Sequence, residues 1–136
     1  KRGPLLVQLP PAFPPALNRL QHLLEACPPD LPVAVEPRDA RWFNPELRRA
    51  LTERGAALVW SDYPDAQSPP WITAPFLYIR RHGSGPRYQG RYGTVALRRL
   101  AASFSDLDGD VSCYFNTDAL GAAVADAAEL SGLLEP

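Results

Sequence analysis

The side chains best suited to chemistry in this sequence stand where apolar runs end. Glu36 ends one such run, and Arg80 and His82 end another. An imidazole transfers protons near neutral pH, and a guanidinium binds carboxylates and phosphates. A nearby guanidinium lowers the pKa of a carboxyl group, so Glu36 is expected to be an ionised base or hydrogen-bond acceptor. These residues predict an enzyme that acts on a small anionic substrate, either phosphorylated or sugar-like.

The elements that position these side chains are predicted to alternate between strands and helices. Five apolar runs favour strands: 5–9, 32–36, 56–61, 75–80 and 111–115. This alternation is typical of a parallel sheet built from βα units. An eight-unit barrel takes roughly 250 residues, so about five units would be present here. The sequence therefore predicts a single α/β domain, a TIM-barrel-like fold present as an incomplete barrel.

Four helices are predicted from their capping residues and apolar spacing. The expected boundaries are Pro14 and Pro15 in the first turn of the first helix, Asn44 and Gly55 at the ends of the second, Thr94 as the N-cap of the third and Asp118 as the N-cap of the fourth. The inner faces are expected to carry Leu17, Leu20 and Leu24, then Val95, Leu100 and Phe104, then Leu120, Val124, Ala127 and Leu134.

Strand parity separates an aliphatic face from a polar one, because alternate residues of a strand point to opposite faces of the sheet. The aliphatic face is expected to pack on the helices. The other face ends in six polar residues at the carboxyl ends of the strands: Gln8, Glu36, Asp62, Arg80, His82 and Asn116. That end of an α/β barrel carries the active site. Glu36 and His82 are the predicted catalytic residues, and the other four are predicted to bind the substrate.

Composition excludes several classes of protein. The 136 residues include no apolar run long enough to cross a membrane, and a net charge of −1 argues against bulk nucleic-acid binding. Cys27 and Cys113 are too few for a disulfide framework, which favours a reduced, cytoplasmic protein. Because the sequence has no Met, it is expected to be a piece of a longer chain. A missing N-terminal segment or a second copy would then complete the barrel.

Several sharper motifs are not matched. The stretch 82–90 is rich in Gly but lacks the Gly-Lys-Ser/Thr ending of a phosphate-binding P-loop. The stretch 106–110 resembles only the start of a calcium-binding loop and is expected to be a turn. The two histidines give no zinc-ligand spacing, and no serine or cysteine nucleophile motif is present. The cofactor, if the reaction uses one, is therefore left open.

Consecutive blocks of the sequence resemble the family called domain of unknown function 72 (DUF72), the YecE-like proteins. The blocks are LLVQLPPAF (5–13), VAVEPRDARWF (33–43), FLYIRRHG (76–83), RYQGRYG (87–93) and CYFNTDALGAAVADAAEL (113–130). The resemblance implies a fold similar to a TIM barrel, with the first strands of the domain missing here. It implies no assigned biochemical role.

The motifs of that family correspond to particular residues of this sequence. They are Gln8, Leu9 and Pro10; Glu36, Arg38 and Trp42; Arg80, His82 and Gly83; Tyr88 and Tyr92; and Phe115 and Asn116. The resemblance adds Arg38, Tyr88 and Tyr92 to the predicted substrate contacts. Asp39 and Thr117 depart from the family pattern and are left out of the site.

Other interpretations of the same residues stay open. The arginines and tyrosines would also suit non-catalytic binding of a nucleotide or single-stranded nucleic acid. A metal ion held by Glu36, Asp62 and His82 is a further alternative. A purely structural interpretation pairs Glu36 with Arg80, because burying either charge alone is costly, and treats His82 as a core residue.

Overall fold

The computed structural model describes residues 3–85, 88–117 and 119–135. The chain has an α/β fold. Its helices and strands are β1 (Leu5–Leu9), α1 (Leu17–Ala26), β2 (Val33–Pro37), α2 (Pro45–Arg54), β3 (Ala57–Leu58), β4 (Trp60–Ser61), β5 (Leu77–Arg81), α3 (Gly93–Ala102), β6 (Val111–Phe115) and α4 (Ala122–Leu134). Short 3-10 helices lie at Ala40–Trp42 and Ala119–Gly121.

The strands form two parallel sheets, ordered β1-β2-β3 and β4-β5-β6. The third predicted strand, at 56–61, is split at Val59 into β3 and β4. This segment pairs with β2 through its first half and with β5 through its second half. The Val59 amide still donates a hydrogen bond of 2.9 Å to the Val35 carbonyl, so the split is one residue wide. The other four predicted strands are confirmed to within two residues at each end.

The aliphatic face of each sheet packs on helices, as strand parity predicted. Val35 of β2 belongs to a buried cluster with Leu24 of α1 and Leu47 of α2. Ile79 of β5 belongs to a second cluster with Leu97 of α3. Burial of such side chains removes apolar surface from water and stabilises the two layers against each other.

The opposite face begins with a small apolar layer and ends in polar groups. Ala34, Ala57, Val59 and Tyr78 form its buried cluster. The polar residues of the candidate site stand directly after this layer, toward the carboxyl ends of the strands.

The boundaries of α2 confirm the prediction. The Asn44 side chain accepts a hydrogen bond of 2.9 Å from the Leu47 amide, and Pro45 occupies the first helical position. Gly55 ends the helix with φ at 68°, a left-handed conformation that favours glycine. Asn, Pro and Gly each satisfy a different backbone requirement, which is why these boundaries are readable in the sequence.

The predicted start of α1 is wrong. Pro14 and Pro15 precede the helix, which begins at Leu17 after the non-helical residue Ala16. The prolines therefore belong to the connection from β1. Leu20 and Leu24 are buried, as the helical spacing predicted.

The predicted cap of α3 is also wrong. Thr94 lies inside the helix, which begins at Gly93, and its hydroxyl donates to the carboxylate of Glu129 in α4. Val95 is exposed, whereas Leu100 is buried as expected. Phe104 is buried too, but it follows the end of the helix. The hydroxyl of Thr94 joins two helices where the sequence pattern predicted that it would cap one.

The inner face of α4 differs from the prediction. The predicted residues Leu120, Val124, Ala127 and Leu134 are all exposed. The buried residues of the helix are Ala122, Asp126 and Leu130. Leu120 precedes the helix with φ at 56°, and Asp118, the predicted cap, lies outside the described residues. No helix within the described ranges is long and apolar enough to cross a membrane.

Candidate functional site

Glu36 is the centre of a group of polar side chains at the carboxyl ends of the strands. Its side chain is wholly buried at the end of β2. Its Oε2 accepts a hydrogen bond of 2.5 Å from Nη1 of Arg80. Its Oε1 lies 3.3 Å from Nε2 of His82, 3.4 Å from Nε of Arg38 and 3.4 Å from Oγ of Ser61. The carboxylate therefore joins residues of β4 and β5 to β2.

Glu36 is held in its ionised form. Burial alone would raise the pKa of its carboxyl group. Hydrogen bonds from His82 and Arg80, together with the charges of Arg80 and Arg38, outweigh burial and lower that pKa. An ionised Glu36 can accept hydrogen bonds and fix the arginines, but it has no proton to donate at neutral pH.

His82 lies between two carboxylates. Its Nε2 faces Oε1 of Glu36 at 3.3 Å, and its Nδ1 lies 3.4 Å from Oδ1 of Asp62. The backbone amide of His82 donates a hydrogen bond of 2.7 Å to the same Asp62 oxygen. Burial would lower the pKa of the imidazole, but the bonds to Asp62 and Glu36 outweigh it and raise that pKa. The imidazole is therefore poised to carry a proton near neutral pH.

Asp62 is fixed by Tyr92 from the loop before α3. The Tyr92 hydroxyl donates a hydrogen bond of 2.5 Å to Oδ2 of Asp62 and accepts one of 2.7 Å from the Gly83 amide. Arg81 Nη1 lies 3.6 Å from the same Oδ2. Burial would raise the pKa of Asp62, but its bonds from His82 and Tyr92 and the charge of Arg81 lower it. Burial and the Asp62 carboxylate raise the pKa of Tyr92, so its hydroxyl stays protonated.

Two arginines lie between the buried groups and solvent. Arg80 and Arg38 have side chains that are 14% and 11% exposed, whereas those of Glu36 and His82 are 0% and 1% exposed. Arg80 Nη1 also donates a hydrogen bond of 3.2 Å to Oε1 of Gln8. The Arg38 guanidinium lies over the Tyr63 ring, 4.7 Å from its centroid. We call Glu36, Arg38, Asp62, Arg80 and His82 the polar cluster.

Tyr88 lies against His82 through both its ring and its backbone. The two rings are 5.9 Å apart, and the Tyr88 amide donates a hydrogen bond of 2.6 Å to the His82 carbonyl. Gly83 opens this loop with φ at 122°, and a Cβ there would lie 2.5 Å from the Gln89 carbonyl oxygen. Only glycine allows so close a backbone approach, and the same loop brings the Tyr88 ring edge-on to the imidazole.

Asn116 does not reach the polar cluster through its side chain. Its backbone amide donates a hydrogen bond of 2.7 Å to the Arg81 carbonyl. Its buried Oδ1 has no hydrogen-bond partner within the described residues. Of the predicted substrate contacts, Gln8, Arg38, Asp62, Arg80, Tyr88 and Tyr92 are brought to the cluster by side-chain contacts, and Asn116 is placed beside it by its backbone.

A cavity of about 550 Å³ opens at the other end of the strands from the polar cluster, lined by residues that include Pro32, Phe76 and Ser112. Within residues 3–85, 88–117 and 119–135, no three His, Cys, Asp or Glu side chains are arranged to hold a metal ion. The candidate site rests on its charges and hydrogen bonds.

The family to which the sequence belongs follows from a comparison with protein-family models. The model described as "Protein of unknown function DUF72" matches residues 1–136. The chain belongs to the DUF72 family. The resemblance carried by the motif blocks is thereby confirmed.

Solved structures of DUF72 family proteins share this fold. The protein from Thermotoga maritima MSB8 is 25% identical, with a TM-score of 0.86 over 96% of this chain and 57% of its own. Two structures of the protein from Enterococcus faecalis V583 are 23% and 24% identical, with TM-scores of 0.78 and 0.75. Both alignments cover 96% of this chain, and they cover 58% and 60%, respectively, of the Enterococcus faecalis chain. This chain thus spans less than two thirds of their length. No curated protein matched it.

Four residues of the DUF72 chain contribute to the cluster or support it but were not predicted. They are Ser61, Tyr63, Arg81 and Asp126. Ser61 and Tyr63 flank Asp62, and the parity of Ala57 and Val59 on the polar face is the signal that would have found Ser61. Arg81 has the parity of the aliphatic face and reaches Asp62 because it stands at the strand end. Asp126 accepts from the Tyr92 amide at 3.1 Å, and no signal in α4 singled it out.

Proposed function

We propose that this DUF72 protein is an enzyme that binds a small anionic substrate at the polar cluster and moves a proton through His82. Arg38 and Arg80 bind the anion, and Gln8 supports Arg80 beside it. His82 is the proton carrier. Glu36, as an ionised carboxylate, keeps His82 protonated and fixes both guanidinium groups.

The observation that carries this proposal is an excess of positive charge over buried carboxylates. The polar cluster has two arginines, Arg38 and Arg80, against the carboxylates of Glu36 and Asp62, and Arg81 beside Asp62 adds a third positive charge. Protonated His82 adds a fourth. A ligand anion of one or two negative charges would balance the polar cluster and Arg81 together, since unbalanced charge in a poorly solvated site is costly.

The order of burial supports the same assignment. The side chains of Arg38 and Arg80 are partly exposed, whereas the side chains of Glu36 and His82 that they contact are buried. An entering anion would meet the arginines first. Arginine is suited to this role because its planar group matches carboxylate and phosphate oxygens with two hydrogen bonds. The imidazole would then face the part of the substrate nearest the anion.

The remaining residues hold His82 in place. Asp62 faces Nδ1, Tyr92 orients Asp62, and the Tyr88 ring contacts the imidazole edge-on. A fixed imidazole with a raised pKa suits a general acid that protonates a substrate oxygen. Asn116 lies beside this arrangement and would complete the substrate contacts from β6.

Anion binding is tested first by a thermal shift assay with sodium phosphate and with uncharged glucose at constant ionic strength. We expect phosphate to raise Tm and glucose to leave it unchanged. The double variant Glu36→Gln Arg80→Met, which removes one charge of each sign, should lose the phosphate effect. Arg49→Met is the control, because Arg49 pairs with Glu53 at 3.9 Å on the exposed surface, away from the polar cluster. No phosphate effect, or an equal one in the double variant, would overturn the proposal.

Turnover is tested by ³¹P NMR on a panel of sugar phosphates incubated with the protein. We expect one of these substrates to be converted by the native chain and not by His82→Gln. Conversion that survives His82→Gln would exclude His82 as the proton carrier, while leaving anion binding intact.

A second candidate function is binding of single-stranded nucleic acid without catalysis. The observation that favours it is the exposed ring of Tyr88 beside a cluster rich in arginine. Bases stack on such rings, and phosphates pair with arginine. Its signature would be steep loss of oligonucleotide affinity with rising salt, since counterion release dominates such binding.

We also propose that the two sheets are parts of one (β/α) barrel of about five units. In its support, β3 and β4 flank a single residue, so the strands follow one another in chain order around both sheets. All pairings are parallel, and the helices pack on one face. Within the described residues β1 and β6 each have one strand neighbour, and a further segment or a second copy would pair with the open edges.

A further inference from the structure

A pair of stacked tyrosines stands beside the polar cluster on the same face. Tyr78 of β5 and Tyr114 of β6 have ring centroids 4.9 Å apart and planes 25° from parallel. Tyr78 is 7% exposed, whereas Tyr114 is 47% exposed. Tyr78 thus supports one side of the Tyr114 ring while the other parts of that ring face solvent. We call these two residues the tyrosine platform.

The register of the strands places the platform next to Arg80. Arg80 of β5 is paired with Tyr114 of β6 on one side and with Ser61 of β4 on the other. Tyr78 stands two residues before Arg80, so both side chains point to the same face. The charges of Arg80 and Glu36 both act on the Tyr78 hydroxyl, which is consistent with this proximity.

The cavity of about 550 Å³ is not part of the platform. Its lining includes Phe76 and Ser112, toward the opposite end of the strands from Arg80. The exposed ring of Tyr114 and the guanidinium of Arg80 therefore share one face of the second sheet.

We propose, on the basis of the function above, that the substrate is an anion carrying a ring, with the ring stacked on Tyr114 and the anionic group bound by Arg80. A ring joined to a phosphate through a short linker can take adjacent positions on neighbouring strands, which are about 5 Å apart. Sugar phosphates and nucleotides share this chemistry. A small anion without a ring would use the arginines and leave the platform empty.

The experiment compares inorganic phosphate, ribose 5-phosphate and adenosine monophosphate by isothermal titration calorimetry. We expect the native chain to bind at least one ring-bearing anion more tightly than phosphate. Tyr114→Ala should weaken that ligand by roughly 5- to 100-fold, the range for loss of aromatic stacking, and leave phosphate unchanged. Tyr114→Phe, which keeps the ring, should stay within about twofold of the native affinity.

The two sources of the ring give different results. Tyr114-dependent binding of ribose 5-phosphate would place a sugar on the platform. Dependence seen with adenosine monophosphate alone would place a nucleobase there. In saturation-transfer difference NMR on the native chain, saturation of tyrosine ring protons should reach the ribose protons in the first case and the adenine protons in the second. This measurement needs no variant to fold.

Failure of this inference is distinct from failure of the proposed function. Phosphate binding with no gain for either ring-bearing anion, or affinity unchanged in Tyr114→Ala, would overturn the platform and leave anion binding standing. If the native chain bound none of the three anions, both the platform and the proposed function would be overturned.

Discussion

Replacing Glu36 by Gln removes a carboxylate charge that Arg80, Arg38 and His82 all face. Removing one partner of a buried ion pair costs about 3–5 kcal/mol, because the other charge is left buried. The arginines are 14% and 11% exposed, so water can partly replace the lost carboxylate. Gln also keeps one acceptor oxygen for Arg80. We therefore expect the free energy of unfolding to fall by about 3 kcal/mol, at the low end of that range.

The assay is equilibrium unfolding in urea at pH 7, with Glu53→Gln as the matched control. Glu53 pairs with Arg49 at 3.9 Å on the surface, where both side chains are mostly exposed. Such pairs contribute about 0–1 kcal/mol, so the control should change stability little. The expected loss for Glu36→Gln corresponds to a decrease in Tm of roughly 10 °C.

A companion variant separates lost charge balance from lost packing. Glu36→Gln Arg80→Met should recover part of the stability lost in Glu36→Gln, because it removes the uncompensated guanidinium. Equal losses for Glu36→Gln and Glu53→Gln would refute the reasoning. So would a double variant less stable than Glu36→Gln, since packing would then outweigh charge.

Three further predictions concern the residues around the imidazole. The pKa of His82 is raised in the folded chain above its ordinary value of 6.5, so protonation of His82 stabilises the fold fully at pH below 6.5 and progressively less as pH rises through the folded-state pKa. The Tm difference between the native chain and His82→Gln should therefore shrink from pH 6 to pH 9. A constant difference would contradict a charged imidazole. Tyr92→Phe removes a hydrogen bond to the Asp62 carboxylate and should lower the free energy of unfolding by about 1.5–3 kcal/mol in urea titrations; no loss would show that this bond is dispensable. Gly83→Ala would set a Cβ 2.5 Å from the Gln89 carbonyl oxygen at a φ of 122°, and should cost about 1–3 kcal/mol by the same method, whereas Gly85→Ala, with its nearest contact at 3.8 Å, is the control.

The sequence predicted most of the sheets because their apolar runs leave little choice of structure. Strands of a parallel sheet read as near-continuous hydrophobic segments, and four predicted runs became strands, of which β2 is buried throughout and β1 and β6 are partly exposed. Val59 could not be anticipated, because the segment changes its pairing partner there and no residue type marks such a change. The caps of α2 were readable because Asn44, Pro45 and Gly55 each meet a backbone requirement.

Helix α4 was not readable for the opposite reason. Its sequence carries Ala or another apolar residue on every side, so spacing does not select one inner face. The face that is buried contains Asp126, whose carboxylate accepts from Nε of Arg91 at 3.2 Å and from the Tyr92 amide. A distant loop thus decides how the helix is rotated.

Only some residues of the candidate site could be predicted from the sequence, depending on where each one stands relative to a regular strand. Glu36, Arg80 and His82 stand on regular strands or at their ends, where parity determines the direction of the side chain. Asn116 has the same parity, but its side chain ends beside the cluster without contacting it. Parity also places Ser61 on this face, in line with Ala57 and Val59, and Tyr63 follows the strand end.

The polar cluster spans the division between the two sheets. Glu36 belongs to the first sheet and Arg80 to the second, while the backbone between β3 and β4 is divided at Val59. The hydrogen bond between Arg80 and Glu36 therefore ties the two sheets together at their carboxyl ends. An anion that draws Arg80 away from Glu36 would weaken this tie beside the break between β3 and β4. The Val59 amide, bonded to the Val35 carbonyl at that break, would then exchange its hydrogen faster.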